Sequence, residues 1–183
     1  MELKNRNTKI YLLAGKARHG KTTSGKILRE EAEARGMLVA NTLIAKYLKE
    51  YATDYFGWDG KEETKPRELL QQLGTDIIRV KLNKPDFFVD RTIEDIEILS
   101  YFFDVIIIDD IRFENEINKI KSSFNNVKSI KIERSNFDNG LTEAQKNHST
   151  EIALDNYKDF DYTIYNDSSL YDLRQKITNI IKE

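Results

Sequence analysis

The sequence predicts one α/β domain built on a parallel sheet with helices on both faces. Short apolar runs alternate with segments of helical periodicity along the chain, which is the pattern of strand–helix–strand units. One run, DVIIIDD, is apolar without interruption until its closing aspartates, as a strand buried on both faces must be. The 183 residues suffice for one such domain with a core and fall short of two, so residues 1–183 are expected to form a single unit.

The elements follow in order. Lys9 to Ala14 (KIYLLA) is an apolar run stopped by Gly15 and reads as the first strand. Thr22 to Arg35 is rich in helix formers and closes on Gly36, the residue expected just past a helix end. Met37 to Ala40 is a second strand, and Leu43 to Phe56 a second helix ending near GWDG. Pro66 opens a third helix, on which Leu69, Leu70, Leu73, Ile77 and Val80 fall within about 100° of one another and form a core face. Arg67, Gln71, Thr75 and Arg79, spaced by four, share a different face. A helix over Phe88 to Leu99 leads into DVIIIDD, and Ile117 with Ile120 marks the helix after it. Val127 to Ile132 alternates as a strand does; the polar stretch SNFDNGLTEAQKN is expected to be mobile. Tyr162 to Tyr165 is the fifth strand, and Leu170, Leu173, Ile177, Ile180 and Ile181 repeat at helical spacing to the end.

Composition excludes several functions. Lys plus Arg number 29 against 31 for Asp plus Glu, a net charge of −2, which argues against polymeric nucleic acid as the main partner. The absence of cysteine excludes disulfides, thiolate metal sites and a cysteine nucleophile. The opening MELKNRNTKIYLLAG has no signal-like apolar run, and nothing later approaches the ~20 apolar residues of a membrane span. The expected setting is cytoplasmic, away from membranes.

Gly15-Lys16-Ala17-Arg18-His19-Gly20-Lys21-Thr22 matches G-x-x-x-x-G-K-[ST] between a strand and a helix, with Thr23 next. Glycines let the backbone curl so that its N–H groups point inward, and the helix N-terminus adds partial positive charge there, so polyphosphate is the natural ligand. ATP is the expected cofactor: Lys21 would reach its β- and γ-phosphates, and the Thr22 hydroxyl would ligate the Mg²⁺ that bridges them. Asp109 and Asp110 are both candidates for the second metal carboxylate. Four apolar residues followed by Asp favours Asp109, which would leave Asp110 just past the strand, and one of the two is expected to cap the helix that follows. Asp54-Tyr55-Phe56-Gly57 and Asn83-Lys84-Pro85-Asp86 match D-x-x-G and N-K-x-D, patterns of GTP-binding switches, but each follows a helical segment instead of a buried strand.

A small-molecule kinase must hold two anionic reactants in line and neutralise the charge spreading in the transition state. Arginine suits this, pairing bidentately with phosphate and remaining charged. The candidates are Arg18, Arg67, Arg79, Arg91, Arg112 and Arg134. The polar stretch at about 135–148 is a candidate lid. His148 and Glu151 stand one helical turn apart, though as a metal pair they lack a third ligand. His19 reads as a plain loop residue; Trp58, Phe87 and Phe88 could stack on a base but suit core packing better.

Taken together, GKARHGKT (15–22), the R-x-L-L-Q-x-L-G-T-D-x-x-R stretch from Arg67 to Arg79, PDFFVDR (85–91), IDDIRFENE (108–116), IKIER (130–134) and HSTEIALDNYKDFDYTIYND (148–167) resemble the phage and bacterial deoxynucleoside monophosphate kinase family and its relative, the animal-type phosphomevalonate kinases. The resemblance spans most of the chain. It implies a P-loop NTPase fold of the nucleoside monophosphate kinase-like type with a five-stranded parallel sheet, ATP and Mg²⁺ as cofactors, and transfer to an acceptor's phosphate, a deoxynucleoside monophosphate first. By match, Asp110 corresponds to the family's aspartate and Arg112 to the arginine after it, so Asp109 and Asp110 both stay open as metal ligands. Lys21, Arg112, Arg134 and Arg18 are the expected catalytic set; Arg67, Gly74, Thr75, Arg79 and Arg91 are expected near the acceptor, Arg134 near the lid, and His148 and Glu151 near the closing segment. Departures are Arg18-His19 where relatives place a small Ser, and Thr150 where Ser is common. A non-nucleotide phosphate such as phosphomevalonate is the second acceptor class, a GTP switch the third reading, and monomer or homodimer fits either kinase.

Overall fold

The computed structural model describes Leu3 and residues 7–182. Five strands, β1 (Lys9–Ala14), β2 (Val39–Thr42), β3 (Val105–Ile111), β4 (Val127–Glu133) and β5 (Tyr162–Tyr165), form one sheet in the order β2-β3-β1-β4-β5. All four pairings are parallel, with Lys9 opposite Val105 and Ile10 opposite Val127. The expected fold is therefore the observed one.

Alternation along the two inner strands builds two cores. Ile10, Leu12, Ile106 and Ile108 face one side, against α4 (Phe87–Leu99) and α5 (Glu114–Ser123), through Phe88, Ile96, Ile117 and Ile120. Tyr11, Leu13, Val105 and Ile107 face the other, against α1 (Lys21–Glu33) and α8 (Leu170–Lys182), through Ile27, Leu28, Leu173 and Ile177. Ile106, Ile107 and Ile108 are fully buried, which is why this run carries no polar residue before its aspartates; truncating any one to alanine costs about 2–5 kcal/mol.

Boundaries differ from expectation by a few residues: β2 runs two residues further than Ala40, and α2 (Lys46–Phe56) starts three after Leu43. The larger correction concerns the third helix. After α3 (Arg67–Gln71) the chain widens over Gln72–Lys81 into i→i+5 bonding, closed by Leu82 N–H donating to Ile77 O at 2.9 Å. Wider turns shift which residues stack on one face, so Val80, assigned to the core by ordinary helical spacing, is 67% exposed and Ile78 is buried in its place. Leu170, at the start of α8, is also exposed. The polar stretch contains a short helix, α6 (Glu143–Lys146), whose first turn is closed by Thr142 Oγ1 accepting from Gln145 N–H, and is followed by α7 (Ser149–Ile152). Among the described residues no helix is long and apolar enough to cross a membrane.

Candidate active site

β1 delivers the chain to Gly15 at the carboxyl edge of the sheet, where ligands bind in open α/β folds. A Cβ on Gly15 would lie 2.3 Å from the Ile132 carbonyl of β4, and its φ of 145° suits only glycine. Arg18 (φ 61°) and Gly20 (φ 105°) complete the curl. Gly20 precedes α1 without a side-chain cap, so the first amides of α1 end at the loop. Lys21, 8% exposed, donates to Gly15 O at 2.7 Å and Lys16 O at 2.8 Å. Burial, then the nearby Arg112 charge, lowers its pKa to about 7. Thr22 and Thr23 are exposed on the first turn of α1.

The loop already grips one anion. Ala17 N–H donates to Glu151 Oε2 at 2.8 Å, and the same carboxylate accepts from Arg112 Nη1 at 2.8 Å through Oε1. One turn later on the same segment, Asp155 pairs with Lys16 at 2.9 Å. Arg112 Nη1 also donates to Gly15 O at 3.2 Å, so this guanidinium touches the loop itself.

His19 does more than fill the loop. It is buried, its Nδ1 accepts the Arg134 N–H at 3.1 Å, and its carbonyl accepts from Asn166 Nδ2 at 3.0 Å. Burial, then Lys21, lowers its pKa, which keeps the ring neutral and Nδ1 an acceptor. Its ring meets Phe137 edge-on at 6.0 Å, and the Arg134 guanidinium lies 3.9 Å from the Phe137 ring. Arg18 donates to Asn139 O at 2.8 Å. The stretch expected as a lid is thus folded against the loop through Arg18, His19 and Arg134.

Both aspartates lie within β3, which runs on to Ile111, so Asp110 is not past the strand. Asp110 Oδ1 accepts from Ile44 N–H at 2.8 Å and Oδ2 from Ala45 N–H at 3.0 Å, tying down the entry to α2. Burial raises its pKa. Asp109 packs against α1, where a Cβ on Gly25 would lie 3.4 Å from Asp109 Oδ2, and it makes no hydrogen bond among the described residues. No cluster of three or more His, Cys, Asp and Glu suited to a metal occurs among the described residues. That donor set fits Mg²⁺, which takes one or two carboxylates and fills its shell with phosphate oxygens and water: an unengaged carboxylate and the Thr22 hydroxyl stand on adjoining elements.

A cavity of about 210 Å³ opens beside Ala17. Arg67, Gln71, Thr75 and Arg79 all line it, as their spacing implied, together with Gly74, Asp110, Arg112 and Glu151. Lys49 and Lys65 add two cations that sequence reasoning missed, since single lysines in polar segments carry no periodic signal. Arg67 pairs with Glu62 at 3.0 Å. Arg79 lies between the rings of Phe88 (5.1 Å) and Phe113 (4.5 Å) and donates to Gly74 O at 3.0 Å and Glu116 Oε1 at 3.2 Å. A second cavity, about 320 Å³ and lined by Gly15, Lys16, Arg134 and Asp155, shares Arg112, Thr150 and Glu151 with the first.

Of the expected site residues, Arg18, Gly20, Lys21, Thr22, Thr23 and Asp109 stand at the loop, the start of α1 and β3 without lining either cavity, and Arg91 and His148 lie outside both linings as well. Arg91 is held over Tyr47 (5.0 Å) and Phe87 (4.7 Å), where cation–π contact satisfies it. His148 precedes α7, with Nδ1 accepting Thr150 N–H at 3.3 Å; it shapes the segment carrying Glu151. Phe88 is core, Phe87 packs on it at 5.2 Å, and Trp58 Nε1 donates to Lys61 O at 3.1 Å within a turn. The DYFG and NKPD patterns line neither cavity: the first ends α2, the second follows the wide helix.

A family model for deoxynucleotide monophosphate kinase matches residues 41–177. The phosphate loop precedes that match and rests on its own geometry. No curated protein matches the chain in sequence. Among solved structures, the Mycobacterium tuberculosis APS kinase CysC in complex with AMPPNP and APS superposes with a TM-score of 0.63 at 10% identity, covering 97% of this chain and 99% of that one. A sugar kinase from Janibacter sp. HTCC2649 gives 0.56 at 14% identity, covering 96% and 95%. Shikimate kinase from Aquifex aeolicus gives 0.51 at 12%, covering 94% and 96%. At these identities the likeness is one of fold.

Proposed function

The chain belongs to the deoxynucleotide monophosphate kinase family and is a P-loop kinase, and we propose that it moves the γ-phosphoryl group of Mg²⁺-bound ATP onto the phosphate of a deoxynucleoside or nucleoside monophosphate held in the 210 Å³ cavity. One observation carries the reading: five cationic side chains, Lys49, Lys65, Arg67, Arg79 and Arg112, line a cavity that begins at Ala17 of the phosphate loop. A dianionic acceptor there lies beside the phosphates of the donor. The AMPPNP bound by the mycobacterial APS kinase supports an adenine nucleotide as donor.

In this reading the loop amides and Lys21 grip the β- and γ-phosphates, Lys21 turning from the Gly15 and Lys16 carbonyls toward them. Thr22 and Asp109 are the residues that would hold Mg²⁺, which would supply positive charge against the negative charge that develops during transfer. Arg79 and Arg67 hold the acceptor phosphate; Arg112, common to both cavities, stands where the γ-phosphoryl group passes. An acceptor phosphate oxygen bonds to the γ-phosphorus as the bond to the ADP oxygen breaks. Arg18, Arg134 and the segment at 135–148 keep water out, so that transfer outruns hydrolysis.

A coupled ATP-consumption assay across deoxynucleoside and nucleoside monophosphates, with phosphomevalonate as a further arm, tests this. Turnover of one or more nucleoside monophosphates is expected. Turnover of phosphomevalonate alone moves the acceptor to another class, and normal ATP binding with no turnover in any arm overturns the reading.

A further inference from the structure

Glu116 lines neither cavity, yet three donors converge on it, two of them from residues that line the 210 Å³ cavity. Its side chain is 2% exposed. Oε2 accepts the main-chain N–H of Arg112 at 2.8 Å and of Phe113 at 3.1 Å, while Oε1 accepts from Arg79 Nη2 at 3.2 Å. Arg112, just past the end of β3, and Arg79, in the wide helix, are far apart in sequence, and both line the 210 Å³ cavity. Phe113 supplies the ring on which the Arg79 guanidinium rests. One carboxylate therefore sets the head of the first arginine, the backbone of the second, and the platform beneath the first.

We propose that Glu116 is the positioning residue that fixes Arg79 and Arg112 at the spacing the acceptor's phosphate requires, a proposal that rests on reading this cavity as the acceptor site. Helix capping accounts for only half of the arrangement. A glutamate at the third position of α5 commonly reaches back to the N–H before the helix, and Oε2 does so. Capping does not need the other oxygen on Arg79, nor a carboxylate withdrawn from water, where an unpaired charge is costly. Arg79 responds in kind: its Nε has no partner and burial lowers its pKa, so its orientation depends on the contacts to Glu116 and Gly74.

The test is Glu116→Gln, which keeps an oxygen for the two amides and removes the charge, in the full chain with the best nucleoside monophosphate from the panel. Because the carboxylate acts through Arg79, the KM for the acceptor should rise about tenfold or more while the KM for ATP moves less than about twofold. In an Arg79→Met background the same substitution should add little, since the group it acts through is gone. Equal rises in both KM values, or an additive effect in the Arg79→Met background, would reduce Glu116 to a helix cap and overturn the proposal. An unchanged acceptor KM in a wild type that turns over nucleoside monophosphates overturns this proposal alone; a wild type that turns over none overturns the acceptor reading and this proposal with it.

Discussion

The Glu151 carboxylate accepts the main-chain N–H of Ala17 at 2.8 Å, so a side chain 134 positions away sits where an oxyanion of the nucleotide is expected. The contact is charge-assisted, as is its partner contact to Arg112. In the proposed reading, ATP displaces it to reach the Ala17 amide. Glu151→Ala should bind ATP more tightly, by about tenfold, the equivalent of about 1.4 kcal/mol, in isothermal titration calorimetry. Unchanged or weaker affinity would show that the carboxylate does not compete.

Lys21→Ala should lose transfer by at least about a hundredfold while the melting temperature holds or rises. The ammonium is buried with a pKa depressed to about 7, so keeping it charged at neutral pH costs the folded state energy that alanine does not. A large fall in melting temperature would mean that its bonds to Gly15 and Lys16 outweigh the desolvation.

The two aspartates should separate by experiment. Asp109→Asn should lower kcat most at limiting Mg²⁺, with partial recovery as Mg²⁺ is raised, and leave stability little changed. Asp110→Asn turns one acceptor into a donor facing the Ile44 and Ala45 amides and should cost about 1–3 kcal/mol in urea denaturation. The reverse pattern would assign the metal to Asp110.

Gly15 and Gly74 differ in what a methyl group meets. At Gly15 it meets the fixed Ile132 carbonyl at 2.3 Å with φ at 145°, so Gly15→Ala should cost more than about 3 kcal/mol or prevent folding. At Gly74 it meets the Cδ2 methyl of Leu48 at 2.9 Å, a side-chain end that can shift, so Gly74→Ala should fold and instead push Leu48 into the cavity, raising the acceptor KM. Circular dichroism and steady-state kinetics on both variants check the contrast.

Wherever one stretch of chain dictates its own geometry, the sequence was readable. KIYLLA followed by GKARHGKT announced a strand and an anion-gripping turn, and the four-residue spacing from Arg67 to Arg79 placed one wall of the cavity. What escaped reading depends on partners distant in sequence. Arg91 looked like a phosphate ligand, but Tyr47 and Phe87 hold it elsewhere. Glu116 drew no role of its own within IDDIRFENE, and only the fold reveals that Arg79 meets its carboxylate. Val80 failed for a local reason: no residue type signals that helical turns will widen.

Burial pushes the Glu116 carboxyl up to about 7 against the opposing pull of the Arg112 amide and Arg79, with Asp110 adding repulsion. The unfolded value is the ordinary 4.5. Between those limits the folded chain binds a proton that the unfolded chain has lost, so this group's contribution to stability is greatest at acid pH and fades as pH rises toward 7. From pH 5 to pH 8, wild type should therefore lose up to roughly 3 kcal/mol relative to Glu116→Gln in urea denaturation. A difference independent of pH would mean that Glu116 stays ionised throughout.

The broad winding from Gln72 to Lys81 makes the bearing of Arg79 a matter of residue count. Were one residue deleted between Gly74 and Arg79, the segment would relax to tighter coiling and swing the guanidinium away from Glu116, although every cation were retained. If the cavity holds the acceptor as proposed, acceptor preference is then open to change by a single-codon deletion, a route that no catalogue of point substitutions would sample.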